Sequence, residues 1–354
     1  MAKTIEVLVV DDSAFMRKML TDILASTDDI RVSGTARNGL EALDKVREIK
    51  PDVITLDIHM PSMDGLSCLK EIQKITDIPV IMLSSLTVEG GRATIEALES
   101  GAIDFITKPA GLFEISGEEK KAEIIEKIRM AYEVLKRNRG SKQPVKPGIV
   151  ARPSKEKYGE LKALIVIGTS TGGPKALQEV IPYIPEDISA AILIVQHMPP
   201  GFTKSLADRL NTLSGVNVKE GEEGEIVRPG YAYIAPGDFH MEVDTGKDGT
   251  MKIRITKDKP VGGHRPAVNV LMNSIARTGF PNVIGVIMTG MGSDGKEGIV
   301  SIKEANKAVV ICQDEISCVV YGMPKSAIST GLVDAIVPLK EIAGVIVKYM
   351  GVEQ

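Results

Sequence analysis

The 354-residue sequence contains no tryptophan, and aromatic residues make up only 4% of it. With so few flat side chains on which bases could stack, a platform for single-stranded nucleic acid is not expected. Cysteine is equally scarce. Cys68, Cys312 and Cys318 are the only three, with no CxxC spacing, which argues against a disulfide framework or a zinc site and for reduced, packed thiols. Long apolar runs are missing as well. The run Val7–Val10 near the start is too short for a secretory signal or a membrane span, so no membrane insertion and a cytoplasmic location are expected. Charge of either sign is not in large excess: the net charge is -4 and the pI about 5.8, which gives no general pull toward nucleic acid or anionic lipid.

What is present is an ordinary globular composition, 43% apolar and 25% charged, in a chain long enough for two domains with separate cores. Residues 137–160 break the pattern. They are rich in Pro, Gly and positive charge, lack apolar periodicity, and read as a linker between a domain over 1–136 and another over 161–354. On both sides of it short β-branched runs alternate with helical patterns, the signature of α/β parallel sheets. In the first half the strands fall at 6–10, 31–36, 53–56, 80–83 and 103–106. The first helix, capped by Ser13, carries Phe15, Met16, Met19, Leu20, Ile23 and Leu24 as its apolar stripe, and a fifth helix carries Ile124, Ile125, Ile128 and Leu135.

Ligands of open α/β sheets sit beyond the carboxyl ends of the strands. In the first half those ends are polar: Asp11-Asp12 after the first strand, Asp57 after the third, Ser84-Ser85 after the fourth, and Lys108 before Pro109 after the fifth. Carboxylates gathered this closely repel one another unless a cation joins them, and a set of oxygen ligands suits magnesium. Asp57 then reads as a phosphoryl acceptor, with Lys108 offsetting charge and the Ser84 hydroxyl bonding phosphoryl oxygens. Helix capping alone would explain Asp12 and Ser13, but not Asp57 together with Lys108.

Val9-Val10-Asp11-Asp12-Ser13, Leu56-Asp57-Ile58-His59-Met60-Pro61, Met63-Asp64-Gly65 and Thr107-Lys108-Pro109 resemble the response-regulator receiver family. The resemblance implies a flavodoxin-like fold and phosphotransfer from a histidine kinase to Asp57. It also implies Mg2+ held by Asp12, Asp57 and the backbone carbonyl of His59, with Asp11 alongside. His59 stands where an acidic or amide side chain is frequent, a departure expected to tune the site rather than abolish it.

After the linker, the buried run Ala163–Ile167 leads into Gly168-Thr169-Ser170-Thr171-Gly172-Gly173-Pro174, a strand, a tight turn and a helix start. Residues 168–172 satisfy G-x-S-x-G, a pattern that places a serine on a sharp strand-to-helix turn. A structural serine in a Gly-rich turn satisfies it equally well. Two more apolar strands narrow the choice, one ending at His197 and the other leading to Asp294. A serine hydroxyl needs an imidazole to take its proton, and the imidazole needs a carboxylate to fix its tautomer. Of four histidines, His197 alone directly ends a buried strand; His240 lies in a β-hairpin region, and His264 sits in a Gly-Gly-His-Arg-Pro loop suited to ordering the site or holding a polar substrate.

Ser170-Thr171-Gly172-Gly173, Gln196-His197-Met198-Pro199 and Met291-Gly292-Ser293-Asp294-Gly295 resemble the catalytic domain of the CheB methylesterase family. His264-Arg265-Pro266 and residues 313–324 extend the match. The resemblance implies hydrolysis of glutamyl methyl esters on methyl-accepting chemoreceptors, deamidation of receptor glutamines, and the kinase CheA as phosphodonor. It implies Ser170 as nucleophile, His197 as base, Asp294 as orienting acid and the Thr171 or Met291 amides as oxyanion donors, with no cofactor for the hydrolase. Thr169, where alanine is frequent, is a local departure. The competing reading of residues 168–175 as a phosphate-cradling loop lacks both G-K-[ST] and G-x-G-x-x-G, and a DNA-binding output lacks a basic recognition helix.

Two sites in one chain suggest that the unphosphorylated receiver covers the hydrolase cleft and that phosphorylation shifts the population toward an open arrangement. A chain beginning near Tyr158 is then expected to hydrolyse esters faster than the unphosphorylated full-length protein. Equal or lower activity of the truncated chain would remove this form of control.

Overall fold

The computed structural model describes residues 4–108, 118–138 and 160–351; Pro109 and nearly all of the expected linker fall outside them. The chain divides into two compact units, residues 1–146 and 147–354.

The first unit alternates strands β1 (Ile5–Val10), β2 (Ile30–Ala36), β3 (Val53–Asp57), β4 (Val80–Ser84) and β5 (Asp104–Thr107) with helices α1 (Ala14–Leu24), α2 (Gly39–Ile49), α3 (Gly65–Ile75), α4 (Val88–Glu99) and α5 (Glu118–Asn138). The sheet is parallel, in the order β2-β1-β3-β4-β5. Strand order reverses between β1 and β3, which opens a crevice above their ends. Val7, Val9, Ile81 and Leu83 face the α1 stripe Met16, Met19, Leu20, Ile23 and Leu24 and the α5 residues Ile124 and Ile128 in one core. Phe15 does not join them; it is 52% exposed. It precedes Met16 by one residue, so the helix turns it about 100° off the buried stripe.

The second unit contains a seven-stranded sheet in the order β14-β13-β12-β6-β7-β9-β8, with all pairings parallel. Its strands are β6 (Ala163–Thr169), β7 (Ala190–Gln196), β8 (Asn217–Glu220), β9 (Tyr231–Ile234), β12 (Val283–Ile287), β13 (Val309–Gln313) and β14 (Ala335–Val337). The expected hairpin is β10 (His240–Thr245) paired antiparallel with β11 (Met251–Thr256). Helices α6 (Gly173–Gln178), α7 (Phe202–Leu213), α8 (Val268–Thr278), α9 (Lys296–Asn306), α10 (Met323–Ile328) and α11 (Ile342–Tyr349) surround the sheet and hairpin. β6 and β7 are buried along their whole lengths, as parallel strands covered on both faces must be. β6 pairs with β7 on one side and β12 on the other, so the chain doubles back across it and its end is the switch point of this sheet. Cys68, Cys312 and Cys318 are buried thiols, and burial pushes the first two up to about 12.

Candidate phosphoacceptor and esterase sites

At the crevice of the first sheet, Asp11 and Asp57 are buried and share one cation. Lys108 Nζ lies 2.7 Å from an oxygen of each. Burial works to lower the Lys108 ammonium, but the two ion pairs outweigh it and hold the group above its ordinary value. Burial raises the Asp57 carboxyl; Lys108 opposes this, Asp11 adds to it, and the net direction is upward. Two buried carboxylates facing one ammonium leave the pocket net negative, and Asp12 adds a third, exposed carboxylate within 4.8 Å. Three hard oxygen donors around uncompensated negative charge fit a magnesium ion.

The His59 side chain is exposed and lies outside that carboxylate group, while its backbone N–H reaches Asp57 Oδ1 at 3.4 Å. Ser84 is buried, but its hydroxyl is turned toward α4. It donates to the Gly90 carbonyl at 3.2 Å and accepts from Thr94 Oγ1 at 2.7 Å.

In the second sheet, Ser170 follows β6, His197 follows β7, and Asp294 lies in the loop between β12 and α9. His197 Nε2 is 2.8 Å from Asp294 Oδ2. Asp294 Oδ2 also accepts from the Val268 N–H at 2.6 Å, and its Oδ1 accepts from the N–H groups of Asn269 and Gly295, each at 2.9 Å. Burial alone would raise this carboxyl; the His197 bond and the backbone donors outweigh that and hold it below the usual carboxylate range. An ionised Asp294 can only accept, so Nε2 of a neutral His197 must carry the proton and Nδ1 the lone pair. Nδ1 is buried and has no hydrogen-bond partner among the described residues. The imidazole is therefore turned over relative to the usual triad, in which Nδ1 faces the acid.

Two amide side chains to which the sequence assigned no role hold this arrangement. Gln196 Nε2 donates to the Ser170 carbonyl at 2.9 Å and to the His197 carbonyl at 3.2 Å, while Thr169 Oγ1 donates to Gln196 Oε1 at 2.6 Å. The departure at Thr169 thus braces the strand ends carrying serine and histidine. Asn269 is the counterpart of Asp294. The N-cap positions of α8 and α9 are Ala267 and Gly295, neither of which caps with its side chain. Asp294 serves the start of α8, and Asn269 Oδ1 accepts from Gly295 and Gly298 at 2.9 and 2.8 Å at the start of α9. The one local hint of this need is that neither N-cap position, Ala267 or Gly295, carries a Ser, Thr, Asn or Asp side chain.

Gly172 turns the chain after Ser170 with φ 75°, and a Cβ there would lie 2.6 Å from Val319. The Ser170 N–H is occupied by the Thr289 carbonyl at 3.1 Å, and Gly290, against the Ser170 side chain, donates to the Val320 carbonyl at 3.0 Å. Among the described residues nothing accepts from the Met291 N–H.

The fold is that of a receiver unit in one chain with a parallel-sheet α/β unit whose strand ends carry a serine, a histidine and an aspartate. The family model for CheB methylesterase matches residues 165–346, and that for the response regulator receiver domain matches residues 7–117. A Syntrophomonas wolfei relative named protein-glutamate methylesterase/protein-glutamine glutaminase 1 is 48% identical over 346 residues, 95% of this chain and 97% of its own. A Bacillus subtilis relative named protein-glutamate methylesterase/protein-glutamine glutaminase is 46% identical over 345 residues, 96% of each chain. The crystal structure of the Thermotoga maritima CheB methylesterase catalytic domain is 43% identical with a TM-score of 0.50, covering 53% of this chain and 97% of that one. The chain belongs to the CheB methylesterase family.

Substituting Asn269→Ala leaves the Gly298 N–H without its acceptor and the Gly295 N–H with Asp294 Oδ1 alone. It is expected to cost about 1–3 kcal/mol of stability, read from urea unfolding; a change below about 0.5 kcal/mol would mean the reciprocal capping is dispensable. For Asp294 the folded pKa is depressed, so its charge stabilises the fold above the unfolded value of about 4 and that stability is lost as pH falls through the folded value. The stability gap between the wild type and Asp294→Asn is therefore expected to be widest near neutrality and to narrow below about pH 4. A gap that stays constant down to pH 3 would contradict the charged assignment.

Proposed function

We propose that this protein hydrolyses glutamyl methyl esters on chemoreceptors, with Ser170, His197 and Asp294 as the reacting set and with phosphorylation of Asp57 as the control. The observation carrying this reading is the 2.8 Å bond between His197 and a carboxylate held ionised by backbone donors, on the strand ends flanking that of Ser170.

Ser170 Oγ attacks the ester carbonyl carbon as His197 Nδ1 takes its proton, and Asp294 stabilises the resulting imidazolium through Nε2. The Met291 amide, with no acceptor among the described residues, and the Thr171 amide are the donors proposed for the oxyanion. Collapse of the tetrahedral adduct expels methanol, which takes the proton from Nδ1 and leaves an acyl-serine. Water then adds with His197 again as base, releasing glutamate and restoring Ser170. With a glutamine side chain the same sequence releases ammonia, the second activity in the names of the relatives. None of these steps calls for a cofactor.

At the receiver, an Asp57 oxygen attacks the phosphorus of a phosphohistidine on the donor kinase, CheA in this reading, and the kinase imidazole leaves. Asp11, Asp12, Asp57 and the His59 carbonyl would hold magnesium, which supplies positive charge to the phosphoryl oxygens when bound. Lys108 pairs with the incoming charge, and Ser84 must exchange its Gly90 bond for a phosphoryl oxygen. Residues 137–160 serve as the linker through which the receiver acts on the esterase. The protein works in the cytoplasm, where the kinase would meet it. Among the described residues no helix is long and apolar enough to cross a membrane.

Methanol release from methylated receptor membranes, with and without a small-molecule phosphodonor, tests both halves. Ser170→Ala is expected to release none under either condition, and Asp57→Asn to retain the basal rate but lose the stimulation. Methanol released by Ser170→Ala, or stimulation persisting in Asp57→Asn, would overturn the corresponding half.

A further inference from the structure

His264 packs face to face on the proposed base. The rings of His197 and His264 lie 3.9 Å apart between centroids, with their planes 10° from parallel. Among the described residues the His197 ring is anchored by the bond from Nε2 to Asp294, which fixes a single edge, and Nδ1 has no partner. Rotation about the Cβ–Cγ bond of an imidazole is broad, so one edge bond does not by itself define the ring plane. A second flat ring against the face does, because tilting either ring breaks the contact.

The loop around His264 is built to hold that ring still. Val261 and His264 exchange two backbone hydrogen bonds of 3.0 Å across a two-residue turn. Gly262 and Gly263 take φ values of 58° and 82°, the left-handed pair that a tight turn of this type demands. Next to it, Arg265 donates from Nε to Asp238 Oδ1 at 3.1 Å and from a terminal nitrogen to the Asp258 carbonyl at 2.9 Å. The Asp238 N–H returns a bond to the Arg265 carbonyl at 3.1 Å. His240, buried at the start of β10, has Nε2 at 3.1 Å from the Lys259 carbonyl, so the histidine of the hairpin braces the base of this loop.

We propose that His264 is a positioning residue of the esterase: its imidazole clamps the His197 ring in the plane from which Nδ1 can take the Ser170 proton. The clamp acts through the ring face, so it needs a flat side chain at position 264 and not the nitrogens of an imidazole. This inference rests on the Ser170, His197 and Asp294 reading above.

The test compares His264→Ala and His264→Phe in the full-length, phosphorylated protein, with kcat and KM taken from methanol release by methylated receptor membranes. A stacked ring pair contributes an increment that corresponds to roughly two- to tenfold in rate. His264→Ala is expected to lower kcat by about that factor with KM unchanged, and His264→Phe to recover most of the loss. Three results would overturn the clamp: kcat unchanged in His264→Ala; His264→Phe as slow as His264→Ala; or a rise in KM alone, which would make His264 a substrate contact. Thermal unfolding of both variants separates a misfolded loop from a lost clamp, and His264→Phe keeps the comparison decisive if His264→Ala is unstable. A Ser170→Ala control that still released methanol would show that the underlying reading, and not the clamp, had failed.

Discussion

The carboxylate of Asp294 is the point on which the second unit turns. A buried carboxylate is costly to desolvate and is kept ionised only where donors surround it. Here the donors come from separate parts of the chain: His197 beyond β7, Val268 and Asn269 at the start of α8, and the residue next along, Gly295. Satisfying one charge thus fixes the start of a helix, the position of a loop and the tautomer of an imidazole together. Because Asn269 reciprocates at the start of α9, the two helices that flank β12 are locked to each other around the carboxylate that bonds the His197 ring.

The first unit handles buried negative charge in the opposite way. Asp11 and Asp57 share one lysine and are left short of positive charge, and burial with Asp11 keeps the Asp57 carboxyl raised. Where Asp294 is saturated with donors, as the proposed orienting charge needs, Asp57 is under-compensated, as its proposed gain of a cation and a phosphoryl group needs. Ser84 marks the cost of that change. Its hydroxyl is committed to Gly90 and Thr94 at the start and first turns of α4, so drawing it toward the crevice must disturb that helix.

Much of this was legible in the chain because chemistry sits at strand ends in parallel sheets. Asp57 ends its strand, Asp11, Lys108, His197 and Asp294 each follow one, directly or through a short loop, and the sheet orders bring Asp11, Asp57 and Lys108 together in one unit and His197 and Asp294 together in the other. Periodicity also located the α1 core, although it counted Phe15 inside a stripe that the helical turn leaves it outside. Asn269, Gln196 and the stack of His264 on His197 were not legible. Their partners lie across loops, and nothing in a local pattern says which backbone donor an amide will meet. The edge strands β8 and β14 are only four and three residues long and partly polar or exposed, too short to carry an alternation that could be counted.

That Ser170 is activated through His197 held by Asp294 is tested most directly by labelling with a serine-directed fluorophosphonate, followed by mass mapping of the adduct and its rate of formation. Activation through the pair predicts a single adduct on Ser170, formed at least about a hundredfold more slowly in Asp294→Asn. An adduct elsewhere, or a Ser170 rate indifferent to Asp294→Asn, would contradict it.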